Sequence, residues 1–334
     1  MRHPSRLSSL FLRHATWRAG LFALAVFGSG CATPDPSEAA PRTRIWDSRA
    51  ERYITHDTLI ERLRQADVAL LGEAHDNPVH HRVETWVLQA LAASATMPAL
   101  VMEQYDLEQQ PAIDTAVAAM ATTQHKLDDL RSIMVDGWDW TLYRPLLAVA
   151  LQAAIPVRAA NSSRATLQRV SRTGLASLGA GQAARLGLNG NWSARQQAAL
   201  ERDIVDGHCG LLPASAVPAV ALAQRTRDAV MADQLLAALS AATTGAGPVL
   251  GIFGREHVRR DLAIPVYLDA RAPATRVISV GMIEVAADSS AAAIDADIRA
   301  AAAGHMHDYL VLTPPAERHA DPCAALGKPV AAPR

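Results

Sequence analysis

Short apolar runs, each closed by a cluster of polar residues, recur along this chain and set its predicted architecture. Val68-Ala69-Leu70-Leu71, Ala99-Leu100-Val101-Met102, Ile155 to Ala160 and Pro248 to Phe253 read as buried strands, and Arg276 to Met282 and Asp308 to Leu312 add two more. Between them apolar residues return at helical spacing, as in Leu59, Leu63 and Ala66 before the first strand and Val79, Val83, Trp86, Val87, Ala90 and Leu91 after it. Helices are also expected from Asp106 to Arg131, Leu142 to Ala154, from about Ala165, from Ser193 through Ile204, after Pro218, and around Ala291 to Ala303. Asp57 or Thr58 is the expected cap of the first helix, and Asn77-Pro78 marks the start of the second. This alternation predicts an α/β domain with a mainly parallel central sheet and helices on both faces.

The polar strand ends carry the candidate chemistry. The first run closes in Gly72-Glu73-Ala74-His75, which puts a carboxylate and an imidazole where a strand hands over to a helix. Open α/β sheets gather their ligands there, and glycine allows a sharp turn and a close backbone approach. Glu103 ends the second run; a carboxylate so placed is costly to bury without a cation or donor, so it is expected at the same rim, the alternative being a cap of the next helix. The third run ends in Asn161-Ser162-Ser163-Arg164, where Arg164 offers a planar fork for a carboxylate or phosphate and Asn161 or Ser162 can cap a helix. The fourth leads into Gly254-Arg255-Glu256-His257, an echo of the first.

Two glycine-to-histidine turns, each beside a glutamate, predict one shared cleft with Glu73, His75, Glu103, Arg164 and His257 as its candidate catalytic groups. Glu73, His75, Glu103 and His257 form a donor set for a divalent metal such as Zn²⁺, Mn²⁺ or Co²⁺, whose open positions would activate water for hydrolysis. The same groups without metal can act as general acid and base. No His-Glu-x-x-His, Gly-x-Ser-x-Gly or P-loop is present, and the glycines near Gly179 follow no strand. Trp138 and Trp140 either wall a pocket or anchor the next helix, with packing the simpler reading, and Arg227 and Asp228 read most simply as solvated surface charges, the alternative being a helix laid over the cleft that presents them inward.

The amino terminus changes the picture of where such a domain works. Arg2, Arg6, Arg13 and Arg18 precede a short apolar core from Gly20 to Phe27, followed by Gly28-Ser29-Gly30-Cys31. That pattern predicts a lipoprotein signal peptide over residues 1–30 and lipidation of Cys31, the alternative being plain secretory cleavage between Ala32 and Ala40. Residues 31–44 then form a flexible tether, 45–314 a single domain and 315–334 an irregular tail, with the acyl anchor holding the chain at a membrane surface. A net charge of −1 gives no electrostatic reason to expect nucleic acid as a partner. Outside the cytoplasm the remaining cysteines, Cys209 and Cys323, lean towards a disulfide, with two free thiols as the alternative.

Taken in order, several motifs resemble the ChaN-like haem-binding uptake family of the Tiki superfamily. They are Gly72-Glu73-Ala74-His75-Asp76-Asn77-Pro78, the Glu103 strand end, Trp140 with Tyr143-Arg144-Pro145, Ala160-Asn161 with Arg164, Gln224 with Arg227-Asp228 and Met231, and Gly254 to His257. The resemblance runs from about Trp46 to Pro314. It implies an iron-regulated lipoprotein that binds haem, as a homodimer, and takes part in haem and iron uptake at the bacterial outer membrane. The wider superfamily also holds metal-dependent peptidases and hydrolases built on paired Gly-x-x-His motifs, which is the alternative expectation. Arg255-Glu256 is a departure, a bulky charged pair that would crowd a metal. Haem needs an axial ligand and an apolar face, and Tyr105, His80 and His81, near the predicted rim, are the candidates by position. His305 and His307 precede a strand at its other end and are not placed in this cleft.

Overall fold

A computed structural model describes residues 42–94, 96–190, 192–242, 246–286, 288–318 and 323. The expected leader, Cys31 and most of the tether lie outside the described residues. All six expected strands are present: β3 (Val68–Glu73), β4 (Ala99–Asp106), β5 (Val157–Asn161), β6 (Val249–Gly254), β7 (Val277–Glu284) and β8 (Tyr309–Thr313). They are joined by a hairpin of β1 (Arg44–Asp47) and β2 (Arg52–Ile54) that the apolar pattern did not reveal. The sheet runs β2-β1-β8-β7-β3-β6-β4-β5. Pairing is parallel from β8 through β5 and antiparallel only where β1 meets β8 and β2.

The centre of the sheet explains the continuous apolar runs. Every residue of β3 is buried, because β6 and β7 flank it and helices cover both faces. Successive side chains divide between two cores: Ala69 and Leu71 join Trp86, Leu88 and Met102 on one face, while Val68 and Leu70 join Met231, Leu235 and Phe253 on the other. Each fully buried leucine or phenylalanine contributes about 1.5–3 kcal/mol by leaving water, so both cores support the strand that carries the first glycine-to-histidine turn.

Local sequence sets the helix boundaries. Helix α1 (His56–Arg64) is capped by Thr55, whose hydroxyl accepts from the Thr58 amide at 3.1 Å, and neither Asp57 nor Thr58 is the cap. Asn77 caps α2 (Pro78–Ala92), its side chain accepting from the Val79 amide at 2.8 Å. The helical stretch from 106 to 131 is divided into α3 (Gln110–Ala118) and α4 (Thr123–Ile133), the second started by Thr122. There follow α5 (Trp140–Gln152), α6 (Arg164–Thr173), a single turn α7 (Gln182–Arg185), α8 (Ala194–Gly207), the long α9 (Val217–Ala241), α10 (Ile264–Arg271) and α11 (Ala291–Ala302). Ser163 precedes α6 at the cap position, in place of Asn161 or Ser162. Among the described residues no helix is long and apolar enough to cross a membrane.

Cys209, just past α8, is bonded to Cys323, with Cα atoms 5.7 Å apart and a sequence separation of 114. A cross-link of this span restricts the unfolded chain more than the folded one. Replacing both cysteines with serine is expected to lower the unfolding free energy by about 2–5 kcal/mol, read from urea denaturation as a lower midpoint. An unchanged midpoint would show that the bond contributes nothing to stability.

Candidate functional site

The carboxyl ends of β3 and β6 lie side by side, with Gly72 opposite Phe253 and Glu73 opposite Gly254. This register brings the two glycine-to-histidine turns together, and the glycines are explained by space, not by turn geometry. A methyl group on Gly72 would meet Val258 Cγ2 at 2.3 Å and Arg255 Cα at 2.8 Å, both in the second turn. One on Gly254 would meet the His75 ring, 2.9 Å from Cε1 and 3.0 Å from Nε2. Each turn is therefore packed against the glycine of the other, closer than any side chain permits.

A buried polar network runs through this junction. Glu73 Oε1 accepts from Tyr143 Oη at 2.7 Å and Gln104 Nε2 at 3.3 Å, and it pairs with His75 Nδ1 at 2.9 Å. The other ring nitrogen of His75 faces Glu103 Oε1 at 3.5 Å. Glu103 Oε2 accepts from the Gly254 amide at 2.9 Å and lies 3.9 Å from His257 Nε2. Strand β4 continues to Asp106, so Glu103 is no helix cap; it bridges the two turns. His257 Nδ1 is bonded to Asp228 Oδ1 at 2.5 Å, and Gln224 lies against the same ring. Below, His81 Nδ1 stands 3.2 Å from Glu73 Oε2 and 3.1 Å from Glu84 Oε2, and its Nε2 donates to the His75 carbonyl at 2.9 Å.

Burial and pairing reset the acidities. Glu73 is pushed up to about 8 by burial and by the neighbouring Glu84 charge, and burial likewise raises Glu84 to about 8. Burial alone would depress His75, but its bond to Glu73 and the charge of Glu103 outweigh that and lift it to about 9. Protons are thus retained in this cluster well above the usual carboxylate range. Asp228 is also raised by burial, against the opposing pull of His257. His80 goes the other way: burial lowers it to about 3, and the neutral ring accepts from the Ala74 amide at 2.8 Å while its Nε2 meets Thr313 Oγ1 at 2.8 Å. It fixes the backbone of the first turn from behind.

Above the network opens a groove of about 670 Å³. His75, its side chain 44% exposed, stands at one wall with Trp138 edge-on at 4.7 Å between ring centroids. Leu167 and Val135 add apolar lining, Asp106 and Asp136 two carboxyls, and Arg164, Arg172 and Arg227 three guanidinium groups, none of the three in an ion pair among the described residues. Arg227 Nε and Asn161 Oδ1 are buried without hydrogen-bond partners among the described residues. Such a surface suits a ligand with an apolar body and carboxylates.

The structure distributes the expected groups unevenly. Glu73, His75, Glu103 and His257 share one junction, and Arg164 lines the groove with His75 outside the buried network. The four expected metal ligands do not converge on one point, since His75 presents one nitrogen to Glu73 and the other to Glu103. Tyr105, His80 and His81 are not rim residues. A register shift in β4 turns Tyr105 into the core, where its hydroxyl donates to the Leu130 carbonyl, and both ring nitrogens of each histidine are engaged inside the protein. Asp228 is buried against His257, not solvated. Arg255 and Glu256 pair with each other at 3.2 Å on the outside of the second turn. Tyr143, Gln104 and Glu84 join the site without having been expected there, and His81 joins it beneath the junction and not as a rim ligand; the available signal was an ionisable pair, His80 and Glu84, in register with the apolar stripe of α2.

An α/β protein with a histidine–carboxylate junction at the carboxyl edge of its parallel strands is the class these features define. Residues 59–268 match the model of the haem-binding uptake family of the Tiki superfamily, ChaN. The chain belongs to that family. Among solved structures, ChaN of Campylobacter jejuni, described by its cofacial heme binding, is similar at a TM-score of 0.63 and 18% identity, over 80% of this chain and 96% of that one. A mutant of the erythromycin esterase EreC in its open conformation matches at 0.43 and 12% identity over 82% of this chain and 83% of that one. The type III effector HopBA1 matches at 0.41 and 12% over 77% and 92%. The first is a likeness of fold, and the other two carry no argument. No curated protein matches in sequence.

The His80 contact gives a pH test with a defined sign. An unfolded histidine titrates near 6.5, so holding His80 neutral adds stability that is complete above that pH and is lost as pH falls towards about 3. His80→Gln is expected to cost about 1–3 kcal/mol at pH 7 by removing buried hydrogen bonds. The wild-type advantage should shrink in urea titrations between pH 6.5 and 4, and a constant difference across that range would contradict the assignment.

Proposed function

We propose that this chain binds haem in the groove beside His75 and serves haem and iron uptake at the bacterial cell envelope, as a lipoprotein anchored through Cys31 in the outer membrane. One observation carries the reading: three arginines, none in an ion pair among the described residues, face the same groove as a half-exposed imidazole and an indole wall. Haem has that complementary chemistry, an apolar macrocycle, two propionates and an iron that takes an imidazole. His75 would supply the axial nitrogen, its ring turning Nε2 away from Glu103 Oε1, now 3.5 Å off, towards the groove, and Arg164, Arg172 and Arg227 the propionate contacts. Membership of the haem-binding uptake family supports the assignment. The groove is open to solvent, so a macrocycle in it keeps one face uncovered. A second copy of the chain carrying its own haem would close that face, which is the reason for including a homodimer; the cofacial heme binding of the Campylobacter jejuni relative supports it.

Hemin titration of the purified protein is expected to give a shifted Soret band that His75→Ala abolishes. Arg227→Gln should weaken binding about 10–100-fold, the cost of one charge-assisted hydrogen bond. A spectrum identical to free hemin, or variants indistinguishable from wild type, would end the proposal.

A second reading, hydrolysis, is favoured by a specific feature: His257 is oriented by Asp228 and turned towards Glu103, the arrangement of a base held by a carboxylate. It uses no metal at the four residues first expected to bind one. Turnover of ester or peptide libraries that disappears in His257→Ala is its expected signature, and an inert wild-type protein would remove it.

A further inference from the structure

We propose that Glu73, His81 and Glu84 form a binding site for a first-row divalent cation beneath the groove, separate from any haem. One ligand atom from each residue lies within 4.8 Å of the others, and all three residues are buried. The tautomer of His81 is decisive. Its Nε2 lies 2.9 Å from the His75 carbonyl oxygen, which can only accept, so the hydrogen is on Nε2 and a neutral ring presents a bare lone pair at Nδ1. That lone pair faces Glu84 Oε2 at 3.1 Å and Glu73 Oε2 at 3.2 Å. Three such atoms converging away from water need a shared proton or a cation among them.

A proton shared between Nδ1 and a carboxyl is the smallest such bridge, but it leaves a remainder. Glu84 is fully buried and its Oε1 has no hydrogen-bond partner. An ion taking both oxygens of Glu84 would satisfy that atom as well. The spacing agrees, because bonds of about 2.0–2.2 Å place neighbouring ligand atoms about 3.0–3.5 Å apart. Supporting contacts are in place: Tyr143 Oη donates to Glu73 Oε1 at 2.7 Å, and the His75 carbonyl orients the imidazole. His81 also lines a separate groove of about 320 Å³ with Arg82, Thr85, Trp86 and Pro145, so the imidazole lies between that groove and the two carboxyls. One imidazole with two carboxylates suits Zn²⁺, Mn²⁺ or Fe²⁺.

The test uses the full chain, purified without chelator and free of Soret absorbance, titrated with Zn²⁺, with Mn²⁺ and anaerobically with Fe²⁺. Stoichiometric uptake of one of these by mass spectrometry is expected, with an anomalous-diffraction peak among the three side chains. Glu84→Gln, which keeps the shape, should lower affinity more than about 100-fold, and Tyr143→Phe, which removes a supporting contact, about 10–100-fold. A wild-type anomalous map with no peak there overturns the proposal even if a variant fails to fold. So does uptake that Glu84→Gln leaves unchanged, and the hemin titration is unaffected by either result.

Discussion

Reciprocal packing of two glycines holds this site together. Gly72 admits the backbone of the second turn and Gly254 admits the ring of His75, each at a distance no side chain allows. The parallel register of β3 and β6 makes that exchange possible, and the apolar faces of β3, shared between two cores, keep the register in place. Everything polar follows. With the turns interlocked, Glu103 can meet the Gly254 amide and both histidines, and Glu73 can meet His75 from the other side.

The helices supply what the strands cannot. Helix α9 places Asp228 and Gln224 against His257, α5 brings Tyr143 to Glu73, and α2 brings His81 and Glu84 below. Charge is thus sorted by depth. Glu73, Glu84 and His75 hold their protons in the network, while the guanidinium groups of α6 and α9 stay in the groove, none in an ion pair among the described residues. A ligand with carboxylates meets positive charge first and the His75 imidazole next.

Much of this was legible in sequence, for reasons that are local. Continuous apolar runs betray central parallel strands, and a glycine three places before a histidine at two such ends betrays a shared junction. The β1–β2 hairpin was not legible, since its strands of four and three residues are largely at the surface. Tyr105 misled because alternation along β4 fails at a register shift, which no single sequence announces. Asp228 reads most simply as solvated because α9 is rich in alanine and shows no clear apolar stripe, and only the family resemblance favours its turning inward. His80 and His81 were placed near the rim because chain position after the first turn was all there was to use. Burial of Glu84 in the same face was the sign that α2 carries polar groups inward.

The fold therefore joins a rigid, proton-retaining junction to an open cationic groove, with His75 the one residue that belongs to both. The most direct measurement is an iron anomalous map from crystals grown with hemin. The account predicts iron at bonding distance from His75 Nε2 with propionates against Arg164, Arg172 or Arg227. Iron held by any other residue, or haem lying outside that groove, would contradict it.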